Sequence, residues 1–132
     1  MSALLVAIIG SLIGAVVLAT ATGIAHRASP APNLALWTWA WVLQCAWLAG
    51  ELLFEATAWW ATVGPHTLVR VVSALLLFRG TAELIGTRLR RRTYVFFGVA
   101  LVWTLVAWLT GLSFITVTGP ATLLLAGALM CM

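Results

Sequence analysis

Six charged side chains lie within or near long apolar stretches of this sequence, and two of them, Arg70 and Arg88, lie close to the ends of a stretch. The other four are Glu51, Glu55, Arg79 and Glu83. Glu51 and Glu55 are four residues apart, as are Arg79 and Glu83, so each pair shares one face of a helix. A charge in apolar surroundings is costly unless it is paired or in contact with water. These four residues are therefore the predicted polar core and the predicted ligand-binding residues.

Three interpretations of this polar core stay open at the level of the sequence. An ion pair between Glu51 and Arg79 would fix the register of two neighbouring helices, because the middles of their apolar stretches fall near Ala49 and Phe78. A polar pocket for a ligand, an ion or a lipid headgroup is the second interpretation. A proton relay or transport path is the third, because acidic groups on one helix face are compatible with cation coupling.

The other reactive side chains do not form a catalytic or metal-binding pattern. The sequence contains neither Asp nor Lys, and it has no Ser/His/Asp set, Walker loop, HExxH or CxxC motif. His26 and His66 are expected at opposite membrane surfaces, and Cys45 and Cys131 are expected to be buried free thiols. We therefore expect no enzymatic activity, no catalytic residue, no metal, no cofactor and no nucleic-acid partner.

The elements that position the polar core must be apolar helices. Of the 132 residues, 64% are hydrophobic and 8% are charged, and the mean hydropathy is +1.13. A soluble domain is about a quarter charged, so this composition excludes a soluble enzyme, a disordered tail and a disulfide-stapled secreted domain. A helix needs about 20 apolar residues to cross a bilayer, which predicts an all-α polytopic membrane protein with four to five transmembrane helices. The predicted spans of this single transmembrane domain are residues 3–25, 34–61, 67–89, 93–110 and 112–132.

Tryptophan, glycine and proline mark the ends of these spans. Trp59–Trp60, at the end of the second span, are typical of the membrane interface. Val63–His66 predict the turn before the third span, and Gly111 predicts the end of the fourth helix. The fifth span has two interpretations, which are a continuous helix kinked at Pro120 and a shorter helix that begins near Pro120 with Thr118 as its cap.

Arginine sets the predicted orientation of the chain. One side of the membrane would carry five arginines, whereas the other side would carry only Arg70. Because cytoplasmic loops are enriched in Lys and Arg, this asymmetry predicts a multi-pass chain with its N-terminus outside the cell. Contact with anionic lipid headgroups is a second predicted role of these residues. The five residues are Arg27, Arg88, Arg90, Arg91 and Arg92.

Small residues in the first span predict helix packing. Gly10 and Gly14 form a small-xxx-small pair that would let another helix approach closely. We therefore expect a homo-oligomer or a partner protein in addition to the lipid bilayer. Residues 128–132 are apolar with no flanking charge, which suggests a piece of a longer protein.

Residues 34–132 resemble a known class of membrane module. Leu36–Trp41 open a long apolar helix, Gly64-Pro65 follow, and the run Leu75–Gly86 leads into the cluster Arg88–Arg92. This pattern resembles the N-terminal multi-span sensor modules of bacterial histidine kinases and diguanylate cyclases. The resemblance implies a location in a bacterial inner membrane and a signal-input role ahead of a cytoplasmic kinase or cyclase, although this sequence contains no such effector.

The leading functional prediction is a membrane-embedded sensory module. It would bind a small or lipophilic ligand, or sense the bilayer, and signal to a cytoplasmic partner by a shift of its helices. The first alternative is a small homo-oligomeric transporter or channel that uses the intramembrane acidic residues. The second alternative is a structural subunit of a membrane complex.

Overall fold

The computed structural model describes residues 2–57 and 63–130 of the chain. These residues form no strand and five helices, which are α1 Ala3–Ala28, α2 Pro32–Thr57, α3 Val63–Leu84, α4 Arg91–Leu109 and α5 Phe114–Met130. The all-α fold that the composition predicts is therefore confirmed for this part of the chain. Trp59–Trp60, the predicted end of the second span, and residues 131–132 of the fifth span lie outside the described residues.

The third helix begins and ends earlier than the sequence predicts. Val63–His66 form the first turn of α3 rather than a turn between helices. Pro65 is tolerated there, because the first N–H groups of a helix have no partner within it. α3 ends at Leu84, because Gly86 adopts a φ of +70° and Thr87 donates its N–H to the Ala82 carbonyl at 2.8 Å. This pairing is a Schellman motif, which a residue with a positive φ favours.

The positions of α2 and α3 along the bundle determine which of their residues lie side by side. The middle of α3 lies near Ser73 rather than near Phe78. Within the described residues, the middle of α2 lies near Gln44 rather than near Ala49. Ser73 Oγ lies 2.7 Å from the Ala40 carbonyl oxygen and 3.2 Å from Gln44 Oε1, so the two middles meet.

The helices pack in an order that leaves α1 at the edge. α2 packs against α1 on one side and α3 on the other, and α4 and α5 pack against each other and against α3. Ile8, Ala15 and Leu48 form the buried cluster between α1 and α2. A second cluster joins α3, α4 and α5, and its buried members are Val71, Phe97, Ala100 and Ala128.

The two ends of the bundle differ in charge. One end, called here the Glu51 end, contains the start of α1, the end of α2 and the starts of α3 and α5. The opposite end, called here the arginine end, contains the connection from α3 to α4 and the residues Arg88–Arg92. The candidate site lies at the Glu51 end.

The fifth helix is continuous through Pro120. It begins after Ser113, whose Oγ accepts the Thr116 N–H at 3.4 Å, and it runs to Met130. The alternative of a shorter helix capped by Thr118 is therefore wrong. Gly111, with a φ of +72°, ends α4 as the sequence predicts.

A tryptophan compensates for the hydrogen bond that Pro120 removes. Pro120 has no N–H to donate to the carbonyl of Thr116, four residues before it. The indole N–H of Trp103, on α4, donates to this carbonyl instead, at 3.0 Å. The proline in α5 is thus compensated by a contact that also joins α5 to α4.

Two helices in the described part of the chain are long and apolar enough to cross a membrane. α1 has a window with a mean hydropathy of 2.6, and α4 has one of 1.6. Only 11% of the α1 window and 28% of the α4 window are buried inside the bundle. The apolar section of α5, Ile115–Met130, is shorter. Both α2 and α3 carry charged side chains, which lower their hydropathy.

Candidate functional site

The contact between α2 and α3 follows a heptad pattern. Three pairs of residues face each other along it, namely Glu51 with His66, Gln44 with Ser73 and Trp37 with Gly80. Within each helix these residues are seven positions apart, the spacing of two helices that pack side by side. The contact therefore places one ionisable pair, Glu51 and His66, at the Glu51 end.

Glu51 and His66 form a partly buried pair across this contact. His66 Nε2 lies 3.2 Å from Glu51 Oε1, and their side chains are 19% and 4% exposed for Glu51 and His66, respectively. The helices can approach this closely because residue 50 is glycine, since a Cβ on Gly50 would lie 2.6 Å from the His66 Cβ. The prediction that His66 lies at a membrane surface stays a prediction, and the structure adds that its side chain is buried against α2.

Arg70 lies one turn after His66 on the same face of α3. Its guanidinium carbon is 4.9 Å from the centre of a Trp47 ring, a cation–π contact. Its Nη1 donates to Thr122 Oγ1 on α5 at 3.0 Å. Its charge also acts on the Glu51 carboxylate. The position of Arg70 at the outer surface stays a prediction, and the structure shows that its side chain links α2, α3 and α5.

A pocket of about 350 Å³ opens beside these residues. It is lined by Leu4 and Ile8 of α1, by Trp47, Leu48, Glu51 and Glu55 of α2, by Arg70 of α3 and by Thr118 of α5. Glu55 is exposed, and it forms no hydrogen bond or ion pair with any residue in 2–57 or 63–130. One carboxylate in the pocket is therefore paired and the other is open to a ligand.

The pocket suits an amphiphilic molecule with a positive charge. Arg70 compensates the Glu51 charge, and His66 forms a hydrogen bond with this carboxylate, so Glu55 supplies the uncompensated negative charge. Leu4 and Ile8 supply an apolar wall. No group of three or more His, Cys, Asp or Glu residues that could hold a metal occurs among the described residues.

The predicted ion pair between Glu51 and Arg79 is absent from the described residues, and each of the two residues pairs with another side chain. Glu51 contacts His66, whereas Arg79 Nε lies 3.5 Å from Glu83 Oε1 on its own helix. The predicted pair does not form because Glu51 and Arg79 lie at different levels of the bundle. Gln44 and Ser73 are at one level, Glu51 lies toward the Glu51 end from it, and Arg79 lies toward the arginine end. The two residues are therefore roughly 20 Å apart along the bundle, at about 1.5 Å per residue. The predicted polar core is thus divided, with Glu51 and Glu55 at one end and Arg79 and Glu83 at the other.

The remaining predicted residues lie outside the pocket. Gly10 and Gly14 face open space, since a Cβ on either would meet no neighbouring atom within 4 Å, and their role in helix packing stays a prediction. The arginine cluster is exposed at the arginine end. Arg27 lies in the last turn of α1, Arg88 and Arg90 precede α4, and Arg91 and Arg92 begin it.

The sequence prediction missed two residues of the site, His66 and Arg70. The heptad spacing contained a signal for His66, because Gln44 and Glu51 repeat every seven residues on α2 as His66 and Ser73 do on α3. The turn predicted at Val63–His66 removed His66 from the helix, so the two spacings were not matched.

The chemistry inferred for the site comes from the geometry of its residues and not from any related protein. The predicted resemblance to sensor modules stays a prediction. The chain matches no protein-family model, no curated protein and no solved structure.

Proposed function

We propose that this chain is a membrane-embedded input module that binds a small amphiphilic cation at the Glu51 end. Glu55 carries the proposal, because it is a carboxylate without a partner among the described residues and lies on the wall of a partly apolar pocket. Its neighbour Glu51 is already paired with His66. The pocket therefore has one negative charge that a ligand would compensate.

In this proposal the chain crosses a bacterial inner membrane four to five times. The support is the large apolar surface that α1 and α4 leave outside the bundle, with 11% and 28% of their most apolar windows buried. The arginine asymmetry orients the arginine end toward the cytoplasm, with the N-terminus and the Glu51 end outside. The charges of α2 would be acceptable at that level because Glu51 is paired and Glu55 faces a pocket.

The ligand would bind with its charge and its apolar part in different places. A positively charged group would contact the Glu55 carboxylate through a charge-assisted interaction. The apolar part would lie against Leu4, Ile8 and Leu48. Binding in this proposal involves no covalent step.

Binding would be transmitted by α1. This helix forms one wall of the pocket through Leu4 and Ile8, and α2 is its main neighbour. A ligand that contacts this wall would shift α1 relative to α2. The last turn of α1, with Arg27, lies at the arginine end, where a cytoplasmic signalling protein or a second copy of the chain would detect the shift.

The binding step is tested by fluorescence quenching. Purified protein in zwitterionic nanodiscs is titrated with decyltrimethylammonium that carries a bromine on its chain, because bromine quenches tryptophan and Trp47 lines the pocket. We expect saturable quenching, which Trp47→Phe reduces. Glu55→Gln should weaken binding about tenfold, because it removes a charge-assisted contact.

Glu83→Gln is the matched control, because it makes the same change at the arginine end and should leave binding unchanged. Brominated decanol tests the role of the charge and should bind more weakly than the ammonium. Equal weakening by both glutamine variants, or equal binding of decanol, would contradict the proposal. Accumulation of the cation inside sealed vesicles would instead favour the transporter alternative.

A further inference from the structure

α4 carries a groove that begins at two arginines and continues along an apolar face. Its polar part, of about 520 Å³, is lined by Arg91, Arg92, Val95 and Phe96. Its apolar part, also of about 520 Å³, is lined by Val95, Gly98, Val99, Val102, Trp103 and Val106. Val95 lines both parts, so the groove is continuous along the helix.

The groove is a consequence of the spacing of residues on α4. Val95, Val99, Val102 and Val106 recur every three or four positions and are exposed on one side of the helix. Between them, Gly98 leaves a gap, since a Cβ there would meet no neighbouring atom within 4 Å. From residue 95 to residue 106 the apolar part is roughly 17 Å long at about 1.5 Å per residue. The opposite side of α4 packs into the bundle, so this face is left for another molecule.

The polar part of the groove carries positive charge without a compensating acid. Arg91 and Arg92 are exposed, and neither forms an ion pair with a residue in the described ranges. Glu83 is the acidic residue at this end, and it pairs with Arg79. The start of α4 has no side-chain cap, so the N–H groups of its first turn add to the positive potential.

We propose that this groove binds an anionic phospholipid, with the phosphate group at Arg91 and Arg92 and one acyl chain along the valines. A soluble phosphate has no acyl chain to occupy the apolar part of the groove. A zwitterionic lipid has a phosphate, but its own ammonium group compensates that charge, so it brings no net negative charge to Arg91 and Arg92. Only an anionic lipid is complementary to both parts. The proposal goes beyond the ligand pocket, lies on a different helix and depends only on α4 facing the bilayer.

The test measures lipid retention by native mass spectrometry of the purified protein. The protein is titrated in detergent with phosphatidylglycerol or with phosphatidylcholine of the same acyl chains. We expect saturable binding of one phosphatidylglycerol and weaker binding of phosphatidylcholine. The joint variant Arg91→Gln with Arg92→Gln removes the charge of the head, and Gly98→Leu fills the apolar part. Each should weaken binding of phosphatidylglycerol about tenfold.

Two control variants distinguish lipid binding in the groove from a general attraction of anionic lipid to a positively charged protein. Arg79→Gln removes an arginine that pairs with Glu83 near the same end of the bundle and does not line the groove. Gly10→Leu fills open space on α1, which has no pair of arginines beside it. Both should bind phosphatidylglycerol as the native chain does. Equal weakening by the controls would overturn the proposal and show non-specific lipid contact, whichever result the ligand pocket gives.

A final arm distinguishes the lipid from free phosphate. Inorganic phosphate at millimolar concentration should not displace bound phosphatidylglycerol. If it does, and if Gly98→Leu leaves lipid binding unchanged, the site is a phosphate site without an acyl-chain groove, and the lipid proposal is wrong.

Discussion

Trp103→Phe should destabilise the protein because of a proline on another helix. The indole N–H of Trp103 donates at 3.0 Å to the Thr116 carbonyl, whose helical partner is missing because residue 120 is proline. Phenylalanine keeps most of the ring but has no N–H. The carbonyl would then lose its donor from α4 and gain none from α5.

The expected loss in the free energy of unfolding depends on whether the Thr116 carbonyl can find another hydrogen-bond donor. Hydrogen bonds between transmembrane helices average about 0.6 kcal/mol, because alternative partners usually exist. An unsatisfied buried polar group costs about 1–3 kcal/mol. Both Trp103 and Thr116 are half-buried, so we expect about 1 kcal/mol from the lost bond, in addition to the packing lost where Trp103 contacts Ala107 and Val117.

Pro120→Ala isolates the hydrogen bond from the packing. Alanine restores the N–H at residue 120, so the Thr116 carbonyl regains its helical donor. Trp103→Phe should then cost about 1 kcal/mol less in the Pro120→Ala background than in the native one. The free energy of unfolding is measured for all four proteins by reversible titration in mixed micelles. Costs of Trp103→Phe that agree within about 0.5 kcal/mol in the two backgrounds would refute the reasoning.

Three further predictions use the same unfolding measurement. Gly50→Ala should cost about 1–3 kcal/mol, because its Cβ would lie 2.6 Å from the His66 Cβ and separate α2 from α3; a neutral effect would mean that this contact is loose. Glu51→Gln should couple to His66→Asn but add independently to Arg79→Gln, because Glu51 contacts His66 and does not contact Arg79; coupling between Glu51 and Arg79 would support the ion pair that the sequence predicts. Gly86→Ala should cost about 1 kcal/mol, because an L residue is strained at a φ of +70°; the Schellman turn is unimportant if stability is unchanged.

Local chemistry explains which parts of the fold were predictable. The composition predicts the all-α class, because only helices satisfy their backbone within such apolar stretches. Gly111 predicts its helix end, because a glycine at positive φ is the common helix terminator. The start of α3 was missed, because Gly64-Pro65 are typical of a turn and also acceptable in the first turn of a helix.

The sequence by itself determined the apolar helices, the scarcity of charge and the concentration of arginine at one end. It also marked Glu51 and Glu55 as residues that need a partner or a pocket, since charge and spacing along one helix are local properties. Only the tertiary structure decided that Glu51 contacts His66 rather than Arg79. The physical reason is the register of α2 against α3. The middle of each helix lies four or five residues from its predicted position, which changes the level of a side chain by about 6–8 Å at about 1.5 Å per residue. That distance exceeds the reach of a hydrogen bond, so which side chains meet depends on the packing of α2 against α3.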